Sequence, residues 1–452
     1  MDRRPQGCDD SVANPLPYIR GLYQLIPEGR RAALLSRTGR SSERRRCLPA
    51  DSVVWLVIAM ALVAADSIPN VGRRLHPSRD HPEPTDSAFS QARRRRGVAP
   101  VRHLFHETAR PMATRQTVAA CYRGGRLMGR DGPTLDRPDT PANARPFGRP
   151  KTGRAAGAFP QVRLRALGAL GPHAVGGRSI TPISHGAPSM VGSLWDHLGP
   201  GMLLVGDRGF FRDELIRSVC EREAHLLARV KSNTVLWPTR RLADGSSLAK
   251  SYPSAADRRR ARRGLPVRVI EYTHDDPNRP GAGERHRLIT DLTNPVDLPA
   301  PAAPLVDHER WDEERALDEI TTPLSGRAVP IRSKAPAGVV QEVDGLVLAH
   351  DVVRQVRPDA AVVARQDPDR LSFIDALRVL QGQLPESPLR SAETGDHGRL
   401  RAVRRQVLRP RRDRWYARVI KRKMSNWRKK RPEHRNPPQP TKPFWEAVVL
   451  LI

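Results

Sequence analysis

The sequence is poor in cysteine and has no paired cysteine motif. Only four of its 452 residues are cysteines, Cys8, Cys47, Cys121 and Cys220, and no two of them are spaced as C-x-x-C. This spacing indicates neither a structural zinc site nor a disulfide framework. A reducing cytoplasm is the compartment that fits.

Long hydrophobic runs are also missing. The longest, residues 53–65, has 13 residues and lies between Asp51 and Asp66, too few to cross about 30 Å of hydrocarbon. The amino-terminal stretch MDRRPQGCDD lacks the apolar core of a secretion signal. We therefore expect the run to form a buried helix, and the protein to be cytoplasmic with no membrane partner.

Negative charge is scarce relative to positive charge. Lys and Arg total 78 and Asp and Glu total 48, which gives a formal net charge of +30. Lysine is itself rare, with 9 Lys to 69 Arg, a ratio that a base-composition bias in coding DNA also produces. Because acidic residues have not risen in step, the excess favours a polyanionic partner, most simply nucleic acid. We expect a nucleoid-associated protein.

Composition changes along the chain divide it into three regions. Residues 1–120 are predicted to form a helical N-terminal DNA-binding domain, in which the arginine run 93–96 faces solvent. Residues 121–395 alternate strand and helix patterns and predict an α/β domain, with a β-rich insertion at about 232–300. Residues 396–452 are a basic C-terminal tail, where 400–435 hold sixteen Lys or Arg.

Two aspartates stand where a strand pattern ends. Asp131 precedes a glycine in GRDGPTLDRPDT, with Asp136 and Asp139 close behind, although Asp-Gly is also a common turn signal. Asp207 follows the apolar run MLLVG, at the carboxyl end of a strand, where open α/β sheets bind ligands. Capping of a turn or helix is the alternative role for Asp207.

A densely charged segment, HERWDEERALDEITTPL at residues 308–324, is the best helix candidate in the C-terminal half. At about 100° per residue, Asp307, Arg310, Glu314 and Thr321 fall within about 60° of one another. Leucine and isoleucine side chains lie beside this stripe. The spacing predicts a helix that carries a carboxylate and a guanidinium at the border of its buried face.

Three carboxylates, from two strand ends and one helix, form a set that can hold hard cations. Mg²⁺ prefers oxygen ligands and keeps open positions for a substrate phosphate. Two such ions about 3.5–4 Å apart activate a nucleophile and stabilise the leaving oxygen of a phosphodiester. In a strongly basic protein, Asp131, Asp207 and Glu314 therefore predict metal-assisted chemistry on nucleic acid.

Seven separated motifs also carry a family resemblance. Four lie in the middle of the chain: DGPTLDRPDTPAN, MLLVGDRGF, HERWDEERALDEI and RSKAPAGVVQEVDGLVLAH. The others are CLPADSVVWLVIAMAL and SAFSQARRRRG near the amino terminus and PRRDRWYARVIKRKMSNW in the tail. In this order, they resemble bacterial insertion-sequence transposases of the DDE superfamily, in the branch with a Tyr-Arg-Glu-Lys signature. The match covers nearly the whole chain.

The resemblance implies a ribonuclease H-like catalytic core whose acidic triad is Asp131, Asp207 and Glu314. It implies that two Mg²⁺ or Mn²⁺ ions serve to cut double-stranded DNA at the transposon's terminal inverted repeats. The freed 3′-hydroxyl then attacks target DNA. A β-rich insertion between the second Asp and the Glu is similar to the insertion of this branch. Because related transposases pair two ends, a homodimer on DNA is expected.

The resemblance also implies DNA contacts. Arg310 matches the signature arginine and is expected to contact a phosphate near the cut, and Arg208 is expected on DNA as well. Trp311 either stacks on a displaced base or packs within the protein. In the tail, five basic residues are expected to contact phosphates or only to aid solubility: Arg411, Arg412, Lys421, Arg422 and Lys423.

Two signature positions differ from the family pattern. The signature tyrosine falls at Asp307 and the signature lysine at Thr321. Losing a charge-assisted contact costs roughly 1.5–3 kcal/mol, and a carboxylate about 6 Å from a phosphate adds about 3 kcal/mol of repulsion. A rate penalty on the order of 10³ to 10⁴ is expected if both act in the rate-limiting step. In addition, Gly129 and Arg130 interrupt the apolar pattern before Asp131.

Three interpretations stay open at this point. The first is a DDE transposase, and the acidic triad favours it. The second is a DNA-binding relative without catalysis, which the residues at 307 and 321 favour. The third is a basic structural protein, which predicts no preference for transposon-end sequences.

Overall fold

The computed structural model describes residues 28–42, 48–75, 84–109, 120–152, 155–171, 173–183, 192–208, 211–325, 331–364, 370–383, 403, 407–408, 419–420, 428–434 and 437–451. The five tail residues expected on phosphates lie outside these ranges, as do Cys8 and Cys47.

A large mixed sheet forms the centre of the protein. Its strands are β1 Cys121–Tyr122, β2 Gly125–Asp131, β3 Thr134–Asp136, β6 Gln161–Ala169, β7 Ala174–Pro182, β8 Met202–Gly206, β9 His225–Arg229, β10 Arg240–Arg241, β11 Ser247–Ser251, β12 Leu265–His274, β13 His286–Thr290 and β16 Val448–Leu450. Within the described residues, two short pairs stand apart from it: β4 Lys151–Thr152 with β5 Ala155–Ala156, and β14 Val419–Ile420 with β15 Arg428–Lys429.

The middle of the sheet has a mixed strand order. Strands run β7, β6, β2, β8, β9, with β2, β8 and β9 parallel and β6 antiparallel to both β2 and β7. The run MLLVG of β8 is buried from Leu203 to Gly206, as expected for a parallel strand covered on both faces. The α/β class expected from the sequence is confirmed.

The segment 232–300 extends this sheet. Strands β13, β12, β11 and β10 follow β9 in that order, all antiparallel to their neighbours. The end of the predicted tail joins the same sheet, because Tyr272 to His274 of β12 pair with β16. The Asp276 carboxylate accepts hydrogen bonds from the backbone N–H groups of Thr441 and Lys442, at 2.8 and 3.1 Å. The chain terminus is thereby fastened to the insertion.

Helices surround the sheet. They are α1 Glu28–Arg37, α2 Ala50–Leu62, α3 Ile68–Leu75, α4 Asp86–Arg96, α5 Ala99–Thr108, α6 Pro141–Phe147, α7 Gly192–Trp195, α8 Asp213–Cys220, α9 Ala255–Arg259, α10 Ala302–His308, α11 Trp311–Glu319, α12 Pro336–Ala364, α13 Phe373–Gln383 and α14 Phe444–Ala447. Short π and 3₁₀ turns lie at Ile320–Leu324 and Pro432–His434.

The N-terminal helices pack into the same core as the long helix α12. Helix α2 contains most of the apolar run and is buried from Val53 to Leu62, as predicted. It lies so close to α12 that a Cβ placed on Gly345 would be 2.7 Å from the carbonyl oxygen of Val57. One cluster of buried residues joins α1 to α5 with α12, α13 and β6. Residues 28–108 therefore share a core with the middle of the chain.

The arginine run at 93–96 does not lie wholly in solvent, and the prediction was wrong for Arg93. Arg93 is buried and donates hydrogen bonds of 3.0 Å to the hydroxyl of Ser333 and to the carbonyl of Gly338. It also lies 3.6 Å from a carboxylate oxygen of Glu342.

Along the ranges given above, we find no helix with both the length and the apolar character that a membrane crossing needs.

Alternation along the strands separates the two faces of the sheet. Leu127, Leu203 and Leu227 belong to one buried cluster, which also contains Val306 of α10. The intervening residues of the same strands belong to a second cluster, which contains side chains of α8. Helix α10 therefore covers the face on which the odd-numbered residues of β2, β8 and β9 lie.

Candidate active site

Three charged residues form a row across the parallel strands. Strand β2 pairs with β8 from Arg126–Met202 to Gly129–Val205, and continuing this register places Asp131 beside Asp207. Strand β8 pairs with β9 up to Gly206–Ala228, which places Asp207 beside Arg229. Neighbouring strands lie about 4.8 Å apart. Two strand-end carboxylates and one guanidinium are thus adjacent on the face covered by α10.

Both aspartates are fixed by the backbone that follows them. The Gly132 N–H donates to Asp131 Oδ1, and the Arg208 N–H donates to Asp207 Oδ1, each at 2.7 Å. Burial raises the pKa of Asp131, and the nearby Glu314 carboxylate raises it further, against the opposing effect of the Gly132 N–H and of the arginines around it. Asp131 is therefore close enough to Glu314 for their charges to interact.

The charged segment after the insertion is helical but is not one helix. Helix α10 ends at His308, α11 runs from Trp311 to Glu319, and a π-helical turn continues from Ile320 to Leu324. The single regular helix expected over residues 308–324 is wrong in this respect. The turn contains Pro323, which has no N–H to donate. π turns are common near functional sites.

Glu314 is held by an arginine one turn before it. The Arg310 guanidinium donates from Nη1 to Glu314 Oε1 at 2.8 Å, and the Glu314 side chain is 24% exposed. Burial lowers the pKa of Arg310, but Asp307, Glu314 and Asp207 more than offset this and raise it. Arg310 also interacts with Asp131. One guanidinium thus lies within electrostatic range of all three carboxylates predicted to form the triad.

A pair of glycines lets α11 approach the sheet. Gly129 of β2 and Gly168 of β6 are direct cross-strand partners. A Cβ on Gly129 would be 2.8 Å from the Cβ of Glu313, and a Cβ on Gly168 would be 2.6 Å from its Oε2. Glu313 is buried and its pKa is raised well above the usual range by burial. The glycine that interrupts the first strand pattern therefore makes room for the helix that carries Glu314.

Asp307, at the signature tyrosine position, has a counter-charge. Arg229 donates from Nε to Asp307 Oδ2 at 2.5 Å and from Nη2 to the hydroxyl of Tyr272 at 3.0 Å. The Asp307 side chain is fully buried. Burial lowers the pKa of Arg229, but Asp307 more than offsets this and raises it above the usual value. The carboxylate at 307 is not the uncompensated charge that the sequence suggests.

Thr321, at the signature lysine position, is bonded to its own helix. Its hydroxyl donates to the carbonyl oxygen of Leu317 at 2.8 Å. This places its polar group along the helix backbone. The position therefore presents no cation to the site.

The other predicted DNA contacts lie at the edge of this site. Trp311 is 40% exposed, and the Arg310 guanidinium carbon lies 5.7 Å from its ring centre. The Nη2 atom of Arg208 lies 3.3 Å from Nδ1 of His286. By contrast, Asp136 accepts a hydrogen bond from Gln161 and Asp139 pairs with Arg149, so other partners engage these two aspartates.

The far end of α11 is anchored by buried charges. Glu319 accepts hydrogen bonds from Arg354 Nε at 2.8 Å and from His350 Nε2 at 3.1 Å. Its side chain is 17% exposed, and those of His350 and Arg354 are buried. Although burial alone raises the pKa of Glu319, the Arg354 charge lowers it to about 2. This cluster fixes the helix that carries Glu314.

The chemistry of the carboxylates suits a divalent cation, although they are not gathered as a ready site. Among the described residues, no group of three His, Cys, Asp or Glu side chains is arranged to hold a metal ion. The Glu314 carboxylate is paired with the Arg310 guanidinium. Asp131 and Asp207, adjacent at strand ends, are oxygen ligands of the kind Mg²⁺ and Mn²⁺ take. The chemistry of the carboxylates of Asp131, Asp207 and Glu314 therefore suits Mg²⁺ or Mn²⁺ ions.

Two family models match the chain. One describes the N-terminal region of the insertion element 4 transposase and matches residues 19–106. The other describes a transposase DDE domain and matches residues 184–350, which include Asp207 and Glu314. The chain belongs to the insertion-sequence transposases with a DDE domain. Divalent metal use is a property of that family.

Relatives of this transposase are found along most of its length. It is 27% identical to the transposase InsG for insertion sequence element IS4 of Escherichia coli (strain K12) over 426 residues, which are 91% of this chain and 93% of InsG. It is 28% identical to InsZ of the same organism, a transposase by name, over 47% of this chain and 71% of InsZ. A cryo-EM structure of piggyBac transposase in a synaptic complex with hairpin DNA is similar with a TM-score of 0.41 and 12% identity, covering 84% of this chain and 81% of that one.

Sequence reasoning missed three residues of the site. Arg229 lies two positions after the buried Leu227 in the strand pattern HLLARVK, so alternation alone places it on the face of Leu227. Tyr272 and Glu313 carry no comparable signal, because each depends on a contact between distant parts of the chain. Only the structure brings them to Asp307 and Gly129.

Proposed function

We propose that the protein is an active DDE transposase whose triad is Asp131, Asp207 and Glu314. It cuts double-stranded DNA at the terminal inverted repeats of its element and joins the freed ends to target DNA. The observation that carries the proposal is the parallel register of β2 and β8 up to Gly129 and Val205. Continued by two residues, it brings Asp131 and Asp207 to neighbouring strand ends, beneath the helix that carries Glu314.

Geometry supports Asp131 in addition to the resemblance of its motif. It lies between the two matched regions of the family models, which end at 106 and begin again at 184. Its register with Asp207 and its electrostatic interaction with Glu314 are independent reasons to include it. The strand order β7, β6, β2, β8, β9 also supports a ribonuclease H-like core, with β10 to β13 as the β-rich insertion.

The chemistry follows from the charges of the site. Two bound Mg²⁺ or Mn²⁺ ions would activate the attacking oxygen and stabilise the leaving oxygen of the phosphodiester. Asp131, Asp207 and Glu314 would hold them. Arg310 supplies a charge-assisted contact to a DNA phosphate, and the half-exposed Trp311 lies where an unstacked base can reach it. Arg208 adds positive charge at the rim.

A DNA-binding role without catalysis is the second candidate. Thr321 presents no cation to the site, and Arg310 is engaged by Glu314. Both features lower the expected rate, since a missing charge-assisted contact costs roughly 1.5–3 kcal/mol. The compensation of Asp307 by Arg229 argues in the opposite direction. It leaves one unfavourable substitution in the signature instead of two.

Strand cleavage of DNA tests the proposal. A duplex that carries the element's own terminal repeats is incubated with the full chain and Mg²⁺ or Mn²⁺. We expect cleavage by the wild type and a loss of at least about 10³-fold in Glu314→Gln, which removes a metal ligand. Asp318→Asn is the matched control, because Asp318 is exposed on the same helix and its carboxylate accepts a hydrogen bond from Thr322. Binding without cleavage by the wild type would support the second candidate.

The two signature positions can be tested in the same assay. Thr321→Lys should raise the cleavage rate by about tenfold, since it restores one charge-assisted contact. Asp307→Tyr should lower it, because the partly buried Arg229 would lose its counter-charge. If the double substitution cleaves DNA and the wild type does not, the protein is a decayed enzyme.

The predicted tail and the assembly on DNA are separate parts of the proposal. If Arg411, Arg412, Lys421, Arg422 and Lys423 contact phosphates, replacing them with glutamine should flatten the dependence of DNA affinity on salt. An unchanged slope of DNA affinity against salt would leave these five residues a solubilising role.

We propose a homodimer on paired transposon ends. Sedimentation of the protein bound to a terminal-repeat duplex would reveal it.

A further inference from the structure

A buried histidine brings the β-rich insertion into contact with the site. His286 begins strand β13 and lies opposite Tyr272 of β12. Two residues further on, Leu288 pairs with Arg229 and belongs to the buried cluster on the side of α10. Because alternate residues of a strand share a face, His286 lies on the same face of the sheet as Arg229 and the strand-end carboxylates.

Both ring nitrogens of His286 have partners. Its Nδ1 lies 3.3 Å from Arg208 Nη2, and its Nε2 lies 3.3 Å from the carbonyl oxygen of Gly281. A guanidinium can only donate hydrogen bonds, so Nδ1 accepts from Arg208 and carries no proton. The ring proton is then on Nε2, which donates to Gly281. Burial lowers the pKa of His286, and the Arg229 charge lowers it further, which favours this neutral ring.

The histidine ring is fixed by its neighbours. His286 is 6% exposed, and its ring centre lies 5.1 Å from that of Tyr272 and 5.0 Å from that of His274. Gly281 has a φ of +77°, and a Cβ placed on it would be 3.1 Å from Nε2 of His286. Arg208, by contrast, is exposed, and within the described residues its guanidinium hydrogen-bonds to no side chain other than His286.

We propose that His286 is a positioning residue, whose Nδ1 holds the Arg208 guanidinium at the rim of the site in the orientation that receives a DNA phosphate. The inference rests on the proposed function, since it takes Arg208 as a DNA contact. His286 acts through Arg208 and itself contacts neither DNA nor metal in this scheme.

The physical basis is the freedom of a long side chain. An exposed arginine loses rotamer freedom when it binds an anion, and an arginine that is already held loses less, so it binds the anion more tightly. The guanidinium has more N–H groups than His286 uses. Those that remain can form a charge-assisted contact with a phosphate. The bond to His286 and the bond to DNA can therefore exist together.

Two substitutions of His286 separate its two hydrogen bonds. Glutamine reaches the position of Nε2, so His286→Gln keeps a donor for Gly281 and loses the acceptor beside Arg208. Asparagine reaches only the position of Nδ1, so His286→Asn keeps that acceptor and loses the bond to Gly281. The first should weaken DNA binding about fivefold, the effect of one hydrogen bond. The second should stay within about twofold of the wild type.

The measurement is the affinity of the full chain for a duplex that carries the element's terminal repeats. Fluorescence anisotropy gives it in the presence of EDTA, so that no metal-dependent cleavage intervenes. Equal losses in His286→Gln and His286→Asn would overturn the proposal, because a histidine that only fills space should not distinguish the two.

A double-variant cycle tests whether His286 acts through Arg208. Arg208→Met should lower the DNA affinity about tenfold, since it removes a charge-assisted contact. Compared with Arg208→Met, the double variant R208M/H286Q should show almost no further loss, because no guanidinium remains to be held. If His286→Gln costs about fivefold in both backgrounds, its contribution is merely structural and the proposal is overturned.

The matched control is the neighbouring histidine. His274 is also 6% exposed, and its Nδ1 makes no hydrogen bond within the part of the chain that the structure describes. His274→Gln should leave DNA affinity within about twofold, while circular dichroism follows the unfolding of every variant. A fivefold loss in His274→Gln as well would mean that any damage to the cluster weakens binding, and the proposal would be overturned.

A second measurement needs no substitution of the buried histidine. In protein labelled with ¹⁵N-histidine, the Nδ1 resonance of His286 should be that of an unprotonated, hydrogen-bonded nitrogen. It should shift in Arg208→Met, which changes only an exposed residue. An Nδ1 signal that stays the same in this variant would contradict the bond on which the proposal depends.

The outcomes distinguish this proposal from the proposed function. If the wild type binds the terminal-repeat duplex no better than an unrelated duplex, the proposed function is wrong and both fall. If it prefers the terminal repeats, but Arg208→Met binds equally well or the cycle is additive, only the positioning role of His286 falls.

Discussion

The two ends of helix α11 carry the same side chain in opposite circumstances. At the first turn, Glu314 pairs with Arg310 and its side chain is 24% exposed. At the last turn, Glu319 is held by the buried residues Arg354 and His350. A carboxylate in the first setting can exchange its partner for another cation. One in the second setting cannot do so without breaking a buried network.

This difference separates an anchored end from a more exposed end within nine residues of helix. The anchored end fixes the helix against α12, and the glycine pair beneath Glu313 fixes its distance from the sheet. The open end then presents Glu314 to the strand-end aspartates with little freedom to drift. Catalytic groups need such support, because small displacements cost large factors in rate.

The largest expected difference between Glu319 and Glu314 is in their contribution to the free energy of unfolding. Glu319→Gln should lower the free energy of unfolding at pH 7 by about 3 kcal/mol, the equivalent of a carboxyl pKa lowered from 4.5 to about 2. Glu314→Gln should lower it by less than about 1 kcal/mol, because the pair is partly exposed. Urea unfolding followed by circular dichroism measures both. Equal losses at the two ends would contradict the comparison.

The stability contributed by Glu319 should depend on pH in one direction. Its folded-state pKa is about 2, below the value of about 4.3 in an unfolded chain, so the contribution is present above pH 5 and is lost as the pH falls toward 2. The difference between wild type and Glu319→Gln should shrink by about 2 kcal/mol between pH 7 and pH 3. A difference that stays constant over this range would mean that the charge of Glu319 is not what anchors the helix.

A smaller effect is expected where α11 meets the sheet. Gly129→Ala would place a Cβ 2.6 Å from Leu170 and 2.8 Å from Glu313, and such overpacking costs about 1–3 kcal/mol. Cleavage should fall as well, since Glu314 moves with the helix. The matched control is Gly176→Ala on β7, whose Cβ would be 3.6 Å from its nearest neighbour. Equal stability and cleavage in the two variants would remove the role assigned to the glycine pair.

Local patterns were enough to predict part of the site. The apolar run MLLVG gave both strand β8 and the position of Asp207 at its end, because a parallel strand buried on both faces reads as a continuous apolar stretch. The apolar run at 53–65 likewise predicted a buried helix. Glu314 was predicted from its place at the border of an apolar stripe and from the resemblance to a family motif, and its catalytic role stays a prediction.

The remaining features depend on contacts that no local pattern contains. Gly129 interrupts a strand pattern because a helix from residue 311 onward packs against it. Asp307 resembles a damaging substitution until the packing of α10 against β9 brings Arg229 beside it. Arg93 lies in an arginine run typical of a solvated surface, yet its partners come more than two hundred residues later.

The pairing of β16 with β12 also links distant parts of the chain. Leu450 lies opposite Tyr272, and the Tyr272 hydroxyl accepts a hydrogen bond from Arg229. A substitution in β16 would therefore reach the partner of Asp307 through two contacts, although more than two hundred residues separate Leu450 from Arg229 in the sequence.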